Sequence, residues 1–285
     1  MNRHNTAVLT VGVDFQSAIR SDKSGVGYYT TGMVQALAQR YPDIQIYLHY
    51  YNFLNRNHIE IPDLPNVHGV ASRLVHPKLV NLLRRFNIEI PFWVLLKKRS
   101  QAYFFPSYTT YPVAKNATVI TTIHDLAYLE VPDSVSARNR TDLIASVPRA
   151  LARSSAIATV SEDSKRRIKH AYSKTPPIFV TYSPPAHCIQ VAEPVGAYIP
   201  KRYILFVGNL EPRKNLVRLL AAYEQLGQTM RDNYAIVIVG GGGWNNHKII
   251  KKIKSMITEG NNVVLTGYVT EGQLVTLYKN AALFV

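Results

Sequence analysis

The sequence holds a single cysteine, Cys188, in 285 residues. That excludes an internal disulfide and any zinc or iron–sulfur site built from several cysteines. No apolar run approaches the roughly 20 residues that a bilayer-crossing helix needs. The amino terminus reaches Asp14 after one short apolar stretch, Ala7 to Val13, which does not read as a secretory leader. Fixed-period repeats and low-complexity tracts are missing too. The nine histidines show no metal-ligand spacing such as H-E-x-x-H. Acidic residues are scarce, 18 against 33 basic ones, which leaves a net charge of +15. These absences point to a soluble, cytoplasmic protein of a reducing compartment, without a metal.

What is present suits two domains: 47% hydrophobic residues spread over a chain long enough for two cores. Both parts are basic, with 22 basic against 12 acidic residues over 1–190 and 11 against 6 over 191–285. Such a field attracts phosphates, acidic lipid surfaces and nucleic acids alike. Its densest cluster, Arg84, Arg85, Lys97, Lys98 and Arg99, brackets the apolar segment Ile90 to Leu96. That segment reads either as a buried helix with solvated charges at its ends or as a face resting on anionic membrane with Phe92 and Trp93 dipping in.

Short apolar runs alternate with helical stretches. Strands are expected at 7–13, 44–50, 117–123 and 156–160, and Tyr29, Met33, Ala36 and Leu37 repeat at the spacing of one helical face. Ser161, followed by Glu162 and Asp163, caps a further helix. A stretch studded by Pro176, Pro177, Pro184, Pro185, Pro194 and Pro200 reads as a connector. Beyond it, strands at 203–207, 235–239, 262–266 and 281–285 alternate with helices at 215–226, 246–257 and 271–279. The fold class is α/β, with two Rossmann-like lobes over 1–190 and 191–285 and parallel sheets covered on both faces. The last segment, Ala281 to Val285, is a core-type strand with no covering helix after it, so the second lobe is expected to be incomplete.

In the second lobe a strand ends at Gly208 and a helix starts near Asn215, a good N-cap. Arg213 and Lys214 then crowd the positive end of that helix, which makes sense if an anion binds between them and the helix amides. In the first lobe Gly25 and Gly27 precede the first helix, either as a close approach to a ligand or as a tight turn. The second strand ends without an acidic residue for a ribose, which argues against a nicotinamide enzyme. His124 follows a strand at its carboxyl end, where it could bind a hydroxyl or act as a base, while Asp125 could cap the next turn. Gly240 to Gly243 with Trp244, and Thr266 to Val269, read as pocket linings or as ordinary turns.

Taken in order, Gly25 to Thr30, Thr122 to Leu126, Thr159 to Ser164, Phe206 to Asn215, Val239 to Trp244 and Leu265 to Val269 resemble the retaining glycosyltransferases of family 4, which have the two-lobed GT-B fold. The mannosyltransferase-like subgroup that builds bacterial surface polysaccharide is the nearest in look. The resemblance implies transfer of a sugar, with mannose the expected one, from GDP-mannose or a UDP-sugar to a glycan or lipid-linked acceptor, without a metal. It implies that the lobe of 1–190 takes the acceptor and the partial lobe of 191–285 the nucleotide-sugar donor, that Arg213 and Lys214 hold the donor diphosphate and that His124 contacts the transferred sugar. Gly25, Gly27 and Gly208 would approach the donor, and Tyr268 and Val269 would sit by its base. Peripheral contact with anionic membrane at the inner face belongs to the same expectation. Asn209 stands where many relatives carry an arginine, and a later pair of glutamates has no counterpart here, so impaired activity is expected. Two other classes compete: a basic nucleic-acid-binding module, for which no aromatic-interleaved motif is found, and a nucleotide-sugar epimerase of the same fold.

Overall fold

The computed structural model describes residues 8–19, 23–55, 59–73, 75–86, 88–183, 191–196, 198–243 and 245–285, without the side chains of Asn55, Asn81 and Arg85. Cys188, Pro184, Pro185, Trp244 and the Arg85 side chain, all singled out above, lie outside the described residues. Packing divides the chain into two compact units, Met1–Glu130 with Ala137–Ala186, and Val131–Ser136 with His187–Val285.

The strands of the first unit are β1 (Thr10–Asp14), β2 (Gln45–Tyr51), β3 (Val67–Ser72), β4 (Ala102–Phe105), β5 (Thr118–Thr122), β6 (Ala156–Thr159) and β7 (Ile178–Val180). They form one parallel sheet in the order β3-β2-β1-β4-β5-β6-β7. Its helices are α1 (Gly25–Arg40), α2 (Pro77–Arg85), α3 (Phe92–Leu96), α4 (Ala127–Glu130), α5 (Ala137–Arg153) and α6 (Glu162–Ala171). The order reverses between β1 and β4, which makes the crevice beyond their carboxyl ends the switch point of a Rossmann-like sheet. One face of the sheet packs Val11, Val13, Ile46 and Leu48 on Tyr29, Val34 and Ala38 of α1. The other packs Tyr103, Phe105 and Val119 on Phe92, Leu95 and Leu96 of α3.

Helix α6 starts as the sequence indicates, with the Ser161 hydroxyl accepting from the Ser164 N–H at 3.0 Å. Helix α1 sits slightly rotated from its expected face. Thr30, Val34 and Ala38 are buried with Tyr29, whereas Ala36 is exposed, because the chain packs its one-turn spacing from Tyr29 on the sheet side. Phe92 is fully buried among the rings of His49, Tyr103, Phe105 and Tyr111, with centroids 5.0–5.9 Å away. Burial on this scale contributes about 2–3 kcal/mol and removes Phe92 from any membrane contact. Strand β7 lies inside the stretch read as a connector, since Ile178 follows the two prolines directly and needs only three residues to pair with β6.

The second unit contains β8 (Tyr203–Val207), β9 (Ala235–Val239), β10 (Val263–Gly267) and β11 (Leu283–Phe284), with α7 (Leu216–Glu224), α8 (Gln228–Asn233), α9 (His247–Thr258) and α10 (Glu271–Asn280). The sheet is parallel in the order β10-β9-β8-β11. Every residue of β9 is buried, as its unbroken Ala-Ile-Val-Ile-Val requires. Helix α10 opens with a full capping box between Thr270 and Gln273. The 281–285 segment is shorter and wetter than expected. Only Leu283 and Phe284 pair with β8, and both are more than half exposed, because β11 is an edge strand.

Candidate functional site

In the second unit the strand-to-helix loop after β8 is shaped by two glycines from the neighbouring loop. A Cβ on Gly240 would lie 2.1 Å from the Gly208 carbonyl oxygen, and its φ of +144° is one that side chains avoid. A Cβ on Gly243 would meet the Leu210 carbonyl oxygen at 2.6 Å. The two loops therefore lie backbone against backbone, joined by the Leu210 N–H on the Gly241 carbonyl at 3.2 Å. This flat seat carries the turn Pro212–Lys214, which is a short 3-10 turn.

Asn215 does not cap α7 with its side chain. It takes a left-handed conformation (φ 55°, ψ 28°) and turns the chain from the 3-10 turn into the helix. Arg213 donates from Nε to Glu211 Oε2 at 2.9 Å, a partner two residues away across Pro212 that sequence reasoning missed. Lys214 is exposed and makes no ion pair among the described residues, and its Cε lies 3.7 Å from where a Cβ on Gly208 would stand. Gly208, Arg213 and Lys214 thus share one loop. Tyr268 is 58% exposed on the loop after β10, while Val269 beside it packs on the core of the unit. The loops after β9 and β10 are tied by the Gly240 N–H on the Gly267 carbonyl at 2.9 Å.

In the first unit His124 follows β5 through Ile123, whose N–H is held by the Ala158 carbonyl at 2.9 Å. Its Nε2–H donates to the Pro106 carbonyl at 2.8 Å, which leaves Nδ1 as the acceptor in the neutral ring. The rings of Tyr29 and Tyr108 meet it edge-on, with centroids 5.0 and 5.8 Å away. Burial lowers its pKa from the ordinary imidazole value, against the opposing pull of the Pro106 hydrogen bond and the Asp125 charge. Asp125 caps the next turn, its Oδ1 accepting from the Ala127 N–H at 3.1 Å. The contact with Tyr29 brings His124 beside the first turns of α1, where Gly25 and Gly27 lie. The two glycines differ: a Cβ on Gly27 would strike the Ser17 carbonyl oxygen at 2.6 Å, whereas one on Gly25 would meet nothing within 4 Å.

A pocket of about 280 Å³ opens beside this cluster, lined by Asp14, Gln16, Ser17, Arg84, Ser107, Thr109 and Tyr111. Burial pushes the Asp14 carboxyl up to about 6, opposed by a hydrogen bond from the Gln16 N–H and by the charge of Arg84. Arg84 donates to the Thr110 carbonyl at 2.7 Å and lies over the Tyr111 ring, 4.7 Å from its centroid. None of these residues was singled out as a site from sequence, although an acid that ends the first strand of an α/β sheet is itself a signal. Among the described residues no group of three or more His, Cys, Asp or Glu could hold a metal ion.

Residues 192–285 match the family model described as Glycosyl transferases group 1. The chain is 26% identical over 287 residues to the O-antigen chain mannosyltransferase B of Escherichia coli, covering 94% of this chain and 73% of that protein. Sucrose-phosphate synthase from Thermosynechococcus elongatus superposes with a TM-score of 0.62 at 13% identity, covering 97% of this chain and 74% of that one. WaaG, a glycosyltransferase involved in lipopolysaccharide biosynthesis, gives 0.56 at 13% identity, with 97% and 74% covered. Anabaena Alr3699/HepE in complex with UDP and glucose gives 0.55 at 15% identity, with 94% and 71% covered. No described helix is long and apolar enough to cross a membrane. The fold is α/β of the GT-B type with two Rossmann-like lobes, and residues 192–285 are similar to the glycosyl transferases of group 1.

Proposed function

We propose that the protein transfers a sugar, mannose by preference, from a nucleotide-diphosphate donor to a glycan hydroxyl with retention, in the synthesis of a surface polysaccharide. The observation that carries this reading is the pair of exposed cations, Arg213 and Lys214, on the loop beyond β8, with Lys214 lying over Gly208. Cations fixed at the carboxyl end of a parallel strand suit a diphosphate, and they neutralise it as it leaves. In the step, the bond from the sugar C1 to the diphosphate oxygen breaks, and the acceptor oxygen bonds C1 on the same face. The acceptor proton passes to the departing diphosphate oxygen.

His124 then contacts the transferred sugar, with Nδ1 free to accept from a hydroxyl. Gly25 and Gly27 lie near donor phosphate and acceptor, Gly208 approaches the diphosphate, and Tyr268 and Val269 lie near the base. GDP-mannose and UDP-sugars are the donors to test: one relative is a mannosyltransferase, and one neighbour was solved with UDP and glucose.

Peripheral contact with an anionic membrane at the inner face belongs to the same reading, and α2 is its carrier. Leu79, Leu82 and Phe86 lie on one face of this helix and its C-cap and are 50%, 49% and 71% exposed. Residues 73–99 hold seven Lys and Arg against Glu89 alone. An apolar stripe within a basic stretch of the sequence fits an acidic lipid surface.

The test is thermal stability in the presence of GDP-mannose, UDP-glucose or ADP-glucose, since a bound ligand raises it by mass action. At least one of these sugars is expected to stabilise the chain, and Lys214→Ala and Arg213→Ala are each expected to abolish the shift. A shift that survives both substitutions removes the diphosphate role, and with it this reading.

A further inference from the structure

The loop 106–111, between β4 and β5, divides its residues by parity. Ser107, Thr109 and Tyr111 line the pocket beside Asp14, while Pro106 and Tyr108 meet His124. The loop grips the His124–Asp125 dipeptide at two points. The Pro106 carbonyl accepts from the ring at Nε2, and the Tyr108 hydroxyl accepts from the Asp125 N–H at 3.2 Å. A carbonyl oxygen can only accept, so Nε2 must carry the proton, and the neutral ring is left with Nδ1 as its one acceptor. Burial favours that neutral ring.

Other contacts hold the same dipeptide without choosing the tautomer. The Ile123 carbonyl accepts from Thr159 Oγ1 at 2.7 Å, and the His124 carbonyl accepts from Ser164 Oγ at 2.9 Å. Tyr29 meets the imidazole edge-on, and its hydroxyl lies 3.2 Å from Thr122 Oγ1 and 2.8 Å from Thr181 Oγ1. These bonds fix the backbone and the ring's neighbour, and each ends on an atom other than Nε2. The tautomer is set by the Pro106 carbonyl, and every residue type at position 106 would bring a carbonyl. Side-chain control over its placement therefore comes from Tyr108, which ties the loop to the dipeptide two residues further on.

We propose that Tyr108 is a positioning residue for His124: its hydroxyl anchors the loop on the Asp125 amide, which keeps the Pro106 carbonyl on Nε2 and Nδ1 as the accepting nitrogen. The inference rests on the sugar-transfer reading, in which that nitrogen meets a hydroxyl of the transferred sugar. Tyr108 then governs how much the sugar adds to donor affinity and leaves the nucleotide alone.

The experiment joins long-range nitrogen NMR of the histidine-labelled intact chain to calorimetry with GDP-mannose against GDP and UDP-glucose against UDP. His124→Asn assigns the His124 signals. The wild type is expected to show His124 as the Nε2–H tautomer alone and to bind at least one of the two sugar nucleotides. Tyr108→Phe, which keeps the ring and loses the anchor, is expected to move the Nδ1 signal towards the tautomer mixture of free imidazole. The same variant should weaken the sugar nucleotide about threefold to tenfold, the worth of one hydrogen bond, with the bare nucleotide held within about twofold. Ser164→Ala cuts a bond to the same dipeptide away from the ring, and is expected to keep both the tautomer and the affinity ratio. If Tyr108→Phe leaves either the tautomer or the ratio at its wild-type value, or Ser164→Ala changes both as Tyr108→Phe does, the positioning role is overturned and the sugar-transfer reading survives. Mixed tautomers in the wild type overturn it too. If the wild type binds neither sugar nucleotide, the reading itself fails and takes this role with it.

Discussion

The carboxyl-end rims of the two sheets are built from opposite materials. In the second unit the rim is glycine and exposed cation: Gly240 and Gly243 flatten the seat, and Arg213 and Lys214 stand on it in water. In the first, the rim is half-buried: a raised carboxyl at Asp14, a depressed imidazole at His124 and aromatic rings around both. Water-exposed cations select by charge and at long range. Half-buried neutral and acidic groups select by hydrogen-bond geometry and reject what they cannot pair. The same strand order therefore presents one rim of exposed cations and another of half-buried hydrogen-bonding groups.

The largest effect that would sharpen this contrast is structural. Gly240→Ala forces a backbone clash and an unfavourable φ, and is expected to cost the second unit about 3–4 kcal/mol in denaturant unfolding. If it unfolds at the wild-type midpoint, the flat seat is not rigid.

Next comes pH. His49 is buried, and its pKa is lowered to about 4, so stability from keeping it neutral is present above 6.5 and is lost as pH falls towards 4. Asp14, raised to about 6, works the other way: its contribution is present below about 3.8 and is lost as pH rises through 6. The two oppose each other between pH 4 and 6. In Asp14→Asn that opposing contribution is gone, while His124, whose pKa is also lowered, acts in the same sense as His49 in both proteins, so the unfolding free energy should rise between pH 4 and 6.5 by roughly 2–3 kcal/mol more than in the wild type. The charged and titratable groups that face Asp14 are Arg84, Tyr51 and Tyr111, and both tyrosines are pushed upward by burial, so neither interferes in this window.

A smaller effect is expected at α2. Leu82→Glu with Phe86→Glu should lower sedimentation with phosphatidylglycerol vesicles about tenfold while leaving stability within about 0.5 kcal/mol. Equal binding to neutral phosphatidylcholine vesicles would deny the charge half of the argument. The smallest structural effect belongs to Gly25→Ala, whose new methyl meets open space. Its unfolding should match the wild type, whereas Gly27→Ala should lose about 2 kcal/mol. A drop in nucleotide-sugar affinity in Gly25→Ala alone would then report close approach to the donor.

Legibility in the sequence followed locality. Strands β8 and β9 were expected over 203–207 and 235–239, the residues they occupy, because unbroken apolar runs between helices allow few other readings. Strand β3, Val-His-Gly-Val-Ala-Ser, was missed because its glycine and histidine break the pattern, and the sheet supplies what propensity does not. The cations at 213 and 214 were visible as a local anomaly at a helix start. The Glu211 partner and the left-handed Asn215 were not, since both depend on the 3-10 turn that Pro212 opens. The Asp14 pocket could not be read from spacing at all: Asp14, Arg84 and Tyr111 meet only after β1 and β4 become neighbours.

The alternation of loop 106–111 carries one more consequence. Peptide units are stiff, so a residue cannot shift without tilting the carbonyl of its predecessor. A substitution that moves the backbone at Ser107 therefore also moves the Pro106 oxygen that fixes the proton on the histidine. The wall of the pocket and the support of the histidine tautomer thus share one peptide unit, within a loop of six residues.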